Sequence, residues 1–236
     1  KAVVSGAVDV EQEISQEFID QQKAFVVTEM VKLGNPFHNE HHTLEVAQRA
    51  HDMAMNTGKY TQNELRLLYL AALYHDFDHA GVTYRQLIKG GDLSNEEVAA
   101  VAFDEQVGLY LGIGQRIMAQ GLIVSTSFGQ LGTAKLPKPE FERSYRPWTE
   151  LEQILHVADI ATVDCPFETF LVHGKDLVAE MCQHQIPAPK CWCEFLAFEE
   201  GFLRYFVSEL EQAKPALAKF DYVRLKRRAQ HATAKI

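Results

Sequence analysis

Six of the ten histidines fall between positions 38 and 79, a crowding that helical core packing alone does not require. His38 and His42 are four residues apart where the chain enters a helix, a spacing that sets two imidazoles on one helical face. His75-Asp76 closes the apolar run from Leu67 to Tyr74, and adjacent side chains at a helix end can converge on a single ion. Imidazole and carboxylate offered together suit a divalent transition metal. Asp159 ends the apolar segment Leu155-His156-Val157-Ala158-Asp159, where an unpaired carboxylate is costly to bury and a cation would offset the cost. Taken singly, these residues have plainer explanations. Asp159 would serve equally as half of a buried ion pair, and a solitary histidine on an amphipathic helix is more often a surface or capped core residue. His51, His173, His184 and His231 read that way, and His41, rotated about 100° from His42, reads as a bystander. Residue type and context together single out His42, His75, Asp76 and Asp159.

Helices must position these groups, because apolar spacing of three and four residues dominates and no clean two-residue alternation appears. The class is all-α. Helices are predicted over 11–33, 40–56, 62–74 and 84–88, with breaks at Gly34-Asn35-Pro36 and Gly58. Ser94 and Glu97 form a capping box ahead of another helix, and 114–125 makes the next. Gly129, Gly132, Pro137, Pro139 and Pro147 mark 126–148 as a long loop, and helices are predicted over 149–163, 166–184, 191–212 and from Pro215 onward. An apolar content of 47% supports one packed domain over 1–236, with 1–10 as a loose N-terminal segment. A formal charge of −9, with basic residues gathered only at Arg224, Lys226, Arg227, Arg228 and Lys235, argues against nucleic acid as a partner. Four cysteines without a CxxC pair read as free thiols of a reducing compartment, and no apolar run is long enough for a membrane span. A soluble cytoplasmic protein acting on a small molecule is expected; no feature of the sequence specifies an oligomeric state.

Phe37-His38-Asn39-Glu40-His41-His42 resembles the Tyr-His-Asn-x-x-His motif of class I 3′,5′-cyclic-nucleotide phosphodiesterases, members of the HD-domain phosphohydrolase superfamily. His75-Asp76-Phe77-Asp78-His79-Ala80-Gly81-Val82, continued by 84–88, resembles their His-Asp-x-Asp-His-Pro-Gly-Val. His156-Val157-Ala158-Asp159 is similar to their His-x-Ala-Asp, and Gly201 to Val207 is similar to Gly-Phe-Ile-Asp-Tyr-Ile-Val. The matches keep the family's order from Phe37 to Val207.

The resemblance implies a compact helical HD bundle that hydrolyses a 3′,5′-cyclic nucleotide to the 5′-monophosphate with two divalent ions. His42, His75, Asp76 and Asp159 would hold the first ion (Zn²⁺, Fe²⁺ or Mn²⁺), and Asp76 would bridge to a mostly hydrated second (Mg²⁺ or Mn²⁺). Water activated between the ions would attack phosphorus. His38 would be the general acid, a role suited to imidazole, with His79 contacting metal-bound water and Phe202 stacking on the base. Asn39, Thr162, Glu199 and Phe202 would line the substrate. The chain departs from the pattern at several of these positions. Glu199 stands where the family has the glutamine that hydrogen-bonds the purine, Thr162 replaces an asparagine, and Phe37 lacks the usual tyrosine hydroxyl. The family's Glu-x-His-His segment has no counterpart in 96–103, and the chain is shorter than the usual catalytic domain. Two alternatives follow: an HD-type nucleotidase or phosphatase on a small phosphorylated metabolite, and a non-catalytic nucleotide-binding HD domain.

Overall fold

The structure is a computed structural model that describes residues 11–79, 86–88, 91–127 and 148–236. Among the described residues it contains nine α-helices and one two-stranded hairpin. α1 (Gln16–Leu33) begins at Ser15, whose hydroxyl accepts the Phe18 N–H, and stops at Gly34 in the left-handed region at φ 66°. α2 (Glu40–Thr57) is capped by Asn39 and stops at Gly58, also left-handed. α3 (Gln62–Tyr74), α4 (Asn95–Val107) and α6 (Glu150–Ile160) start on reciprocal capping boxes: Thr61 with Glu64, Ser94 with Glu97 and Thr149 with Glu152. A 3-10 turn at Gly108–Tyr110 leads to α5 (Ile113–Ser125), and α7 (Phe167–Gln183), α8 (Trp192–Ala213) and α9 (Lys219–Thr233) complete the bundle.

The all-α class holds, with local corrections. The first helix starts at Gln16 rather than 11, because a Ser15 side chain that caps a helix also ends its upstream continuation. The helix expected over 84–88 is, in its described part, a strand: β1 (Gln86–Ile88) pairs antiparallel with β2 (Gly91–Leu93), Gln86 opposite Leu93 and Ile88 opposite Gly91. Two residues separate the strands, and a two-residue connection ending in glycine is a hairpin signal that outranks weak helical periodicity. α6 ends at Ile160, not 163, and the last helix begins at Lys219 rather than at Pro215. The loose segment expected over 1–10 and most of the loop expected over 126–148 lie outside the described residues.

α3 organises the core. Leu65, Leu67, Leu68, Leu70, Ala71, Ala72, Leu73 and Tyr74 are all buried, and α1, α2, α4, α5 and α6 pack around it. A helix apolar on every side must be interior. Each leucine contributes about 1.5–3 kcal/mol on burial, and Ala47, Ala50 and Ala54 let α2 approach closely. All nine helices contribute to one apolar cluster. Its consequence for chemistry is the fixed position of the α3 C-terminus, which delivers His75 and Asp76 to the interior. No helix among the described residues is long and apolar enough to cross a membrane.

Candidate metal centre

Three helix ends meet at the centre. Asn39 Oδ1 accepts the N–H groups of His41 and His42 at 2.9 and 3.1 Å, and its Nδ2 donates to Pro36 O at 2.7 Å. This fixes the first turn of α2, where His42 lies, and the amide of Asn39 is thereby engaged in the backbone. His75 is the C-terminal cap of α3, and Asp76 follows in a tight turn held by Phe77 N to Tyr74 O and His79 N to Asp76 O, at 3.0 and 3.1 Å. Asp78 turns the chain in the left-handed region at φ 58°, which aspartate tolerates. Asp159 comes from the last turn of α6.

His42 Nε2 lies 3.1 Å from Asp159 Oδ1 and 3.4 Å from Asp76 Oδ2; His75 Nε2 lies 3.0 Å from Asp76 Oδ2 and 3.3 Å from Asp159 Oδ1. An ion about 2.1 Å from each donor places neighbouring donors about 3.0 Å apart at right angles and about 3.4 Å apart at tetrahedral angles. The observed separations span that interval. His75 Nδ1 donates to Ala72 O at 2.7 Å, which directs the Nε2 lone pair into the cluster. Yet among the described residues the buried His75 Nε2 and Asp76 Oδ2 have no hydrogen-bond partner. Two orphaned donors of opposite charge type, facing one point, fit a cation. Without one, burial opposes charge on His75, but Asp76 and Asp159 raise its pKa well above the ordinary imidazole value. Burial likewise opposes ionisation of Asp76 and Asp159, and the histidines outweigh it, holding both carboxyls low.

A second set of donors, His38, Asp76 and His79, shares Asp76 with the first. His38 Nδ1 lies 2.6 Å from Glu180 Oε1, while Glu180 Oε2 accepts the N–H groups of Phe37 and His38 at 3.0 and 2.9 Å. Glu180 is fully buried. Burial lowers the His38 pKa, but Asp76 and then Glu180 outweigh it and raise the value. The His38 and His79 rings stack at 4.1 Å. Asn95 Nδ2 donates to His79 Nε2 at 3.0 Å, which leaves the proton of a neutral His79 on Nδ1, a buried atom with no hydrogen-bond partner among the described residues. Burial, followed by the charge of His38, pushes His79 down to about 3. Burial, foremost, and the Asp76 charge raise the carboxyl of nearby Glu96 in the first turn of α4.

The remaining predicted residues lie in other settings. His41 is 83% exposed in its side chain. His156 belongs to a core network, with Nδ1 3.0 Å from Ser125 O and Nε2 3.3 Å from Glu209. Thr162 is buried just after α6, Phe202 stacks on Phe170 at 6.4 Å, and Glu199 is buried against α7 at Gly174. Glu180 and Asn95, which set the orientation of His38 and His79, escaped the sequence reading. Glu180 is 142 residues from His38, so no spacing signals it.

A family model described as "HD domain" matches residues 39–163. The chain is 26% identical over 171 residues to the human dual specificity calcium/calmodulin-dependent 3′,5′-cyclic nucleotide phosphodiesterase 1B and 24% identical to its mouse counterpart, the match covering 61% of this chain. It spans 31% of the length of those curated relatives. Among solved structures it resembles the phosphodiesterase domain of Salpingoeca rosetta rhodopsin phosphodiesterase, with TM-score 0.65 and 20% identity over 94% of this chain and 80% of that one. A second structure of the phosphodiesterase domain of the choanoflagellate's fusion protein gives TM-score 0.59 and 17% identity over 96% of this chain and 92% of the other.

Proposed function

The chain belongs to the HD domain family, and from that premise we propose that it is a metal-dependent phosphohydrolase that opens a 3′,5′-cyclic nucleotide to the 5′-monophosphate. The observation that carries the reading is the cluster of His42, His75, Asp76 and Asp159 beside a histidine, His38, that Glu180 holds in place. The relatives named as 3′,5′-cyclic nucleotide phosphodiesterases support the substrate class. His42, His75, Asp76 and Asp159 would hold the first ion (Zn²⁺, Fe²⁺ or Mn²⁺), and Asp76 would also serve the second (Mg²⁺ or Mn²⁺). When bound, the ions neutralise phosphate charge and make water a nucleophile at neutral pH.

The chain's own groups manage protons and orientation. Glu180 accepts the Nδ1 proton of His38, so the transferable proton sits on Nε2. Transfer of that proton to the 3′ oxygen accompanies cleavage of the P–O3′ bond, and water supplies the oxygen gained by phosphorus. His79, neutral and fixed by Asn95, offers its Nδ1 proton as a donor on the same side. Phe202, Thr162 and Glu199 face the nucleoside, and Asn39 contributes by aiming His42. The family match ends at 163, but the apolar core continues without a break through α7, α8 and α9, which supports one HD-type domain over 1–236.

A turnover screen over cyclic nucleotides, mononucleotides and bis(p-nitrophenyl) phosphate, run with metal analysis, tests the reading. Hydrolysis of a cyclic nucleotide by metal-loaded protein is expected. Turnover of mononucleotides alone would replace the reading with a nucleotidase or phosphatase, and metal binding without any turnover would replace it with a nucleotide-binding domain.

A further inference from the structure

His42 and Asp159 reach the centre on separate helices, so the 3.1 Å between His42 Nε2 and Asp159 Oδ1 depends on how α2 and α6 are held together. Asp159 also occupies an electrostatically poor place. It lies in the last turn of α6, where the helix dipole is negative and the closing carbonyls have no partner within the helix. α6 itself supplies neither of the usual remedies. Its last turn holds no basic residue, and its C-cap, Ala161, is not in the left-handed conformation that turns N–H groups back onto those carbonyls (φ −79°, ψ 40°). The remedy comes from α2. Arg49, two turns past His42 on the same face, reaches across the helix pair. Its Nη1 donates at 2.5 Å to Ala158 O, the carbonyl of the peptide that joins Ala158 to Asp159. The Arg49 side chain is only 14% exposed, and a second contact, Nη2 to Glu45 Oε2, is longer at 3.7 Å.

We propose that Arg49 is a positioning residue of the metal centre: its guanidinium caps the closing turn of α6 and thereby holds the Asp159 carboxylate beside His42, at the separation one ion requires. This rests on the metal-dependent reading above and is independent of which phosphate ester is hydrolysed. The hydrogen bond fixes the peptide plane that leads into Asp159, and so fixes where that side chain starts. The charge acts in the same direction. Burial lowers the Arg49 pKa, while Asp164, Glu45 and then Asp159 sustain the cation. The attraction is mutual, a smaller addition to the hold that His75 and His42 already have on the Asp159 carboxylate. Arginine suits the task, because it keeps its charge when buried and its planar fork gives directed donors. Groups that orient a ligand without touching the ion contribute to metal affinity through that ligand.

The test is the affinity of the metal-free whole chain for Co²⁺, measured by competition with a chelator, together with the visible spectrum of the bound ion. It compares the wild type with Arg49→Met, Arg49→Gln and Arg49→Lys. Arg49→Met removes the donor fork and the charge at similar length; Arg49→Gln removes the charge but keeps a polar side chain between the helices, a second removal should the methionine variant fail to fold. Both should bind Co²⁺ about 10- to 100-fold more weakly, the usual loss when a group that orients a metal ligand is removed, and the absorption bands of the bound ion should change. Arg49→Lys, which keeps a cation and a donor, should lose less and give a spectrum nearer that of the wild type. Urea unfolding of the metal-free proteins reports any loss of stability separately. A merely structural role would lower the unfolding midpoint and leave the affinity and spectrum of the folded variants unchanged. That result overturns the proposal, as does a lysine variant as weak as the methionine one. Failure of the wild type to bind Co²⁺ overturns both the proposal and the metal-dependent reading beneath it.

Discussion

Replacing Glu199 by glutamine should stabilise the folded protein, by an amount that depends on pH. The folded carboxyl titrates near 7 against an ordinary value of 4.5, because α7 and α8 exclude water from it. A raised carboxyl pKa means that the folded state holds the proton more tightly than the unfolded chain. Below about pH 4.5 both states are neutral and burial carries no ionisation cost. As pH rises from there to about 7 the unfolded chain releases its proton first, and stability falls; above about 7 the full cost is present. At 1.36 kcal/mol per tenfold, that cost is about 3 kcal/mol, an upper value because any water reaching the seam reduces it. Glutamine has nearly the same shape and no proton to lose. Its own unpartnered amide costs something too, but equally at every pH. The quantity to read is therefore the change with pH of the stability difference between Glu199→Gln and wild type, from urea unfolding at several pH values. It should grow by about 2–3 kcal/mol between about pH 4.5 and about pH 8. A difference that stays constant, or that shrinks as pH rises, would refute a buried, unpaired carboxyl at this position.

Asp76→Ala should strip metal from both positions and abolish turnover, since this carboxylate is the proposed ligand common to the two ions; loss of one ion with full retention of the other, read by elemental analysis, contradicts that shared role. His38→Ala should leave metal content intact and slow cyclic-nucleotide hydrolysis by roughly 10² to 10⁴, with a much smaller loss on bis(p-nitrophenyl) phosphate, whose leaving group needs no proton; equal losses on both substrates would exclude the acid role. Glu180→Gln removes a negative charge that raises the His38 pKa, so the alkaline limb of the kcat profile, where His38 loses its proton, should move to lower pH; an unmoved limb would detach Glu180 from the proton donor.

What could be read from the sequence was local. Thr61 with Glu64 and Ser94 with Glu97 carry their capping signals within four residues, and the start points of α3 and α4 follow from them. The grouping of His42 with His75, Asp76 and Asp159 was legible because each sits at the end of an apolar or capped segment, where a helix can deliver a side chain inward. Pairings made by tertiary packing left no such trace. Glu180 meets His38, and Gly174 makes room for Glu199, only because α7 lies across the entrance to α2 and along α8. Asn95 reaches His79 from beyond the β1–β2 pair, whose three-residue strands are too short to establish an alternation in the sequence. Ser15 starts the first helix five residues into a run whose periodicity is continuous.

The central claim is that this chain uses bound metal to cleave the P–O3′ bond of a cyclic nucleotide. Its most direct test is phosphorus NMR of the product formed by chelator-treated protein before and after divalent metal is restored. The account predicts no hydrolysis by the stripped protein, and conversion of the cyclic nucleotide to the 5′-monophosphate alone once metal returns. Appearance of the 3′-monophosphate, or hydrolysis that is unchanged by removal of the metal, would contradict it.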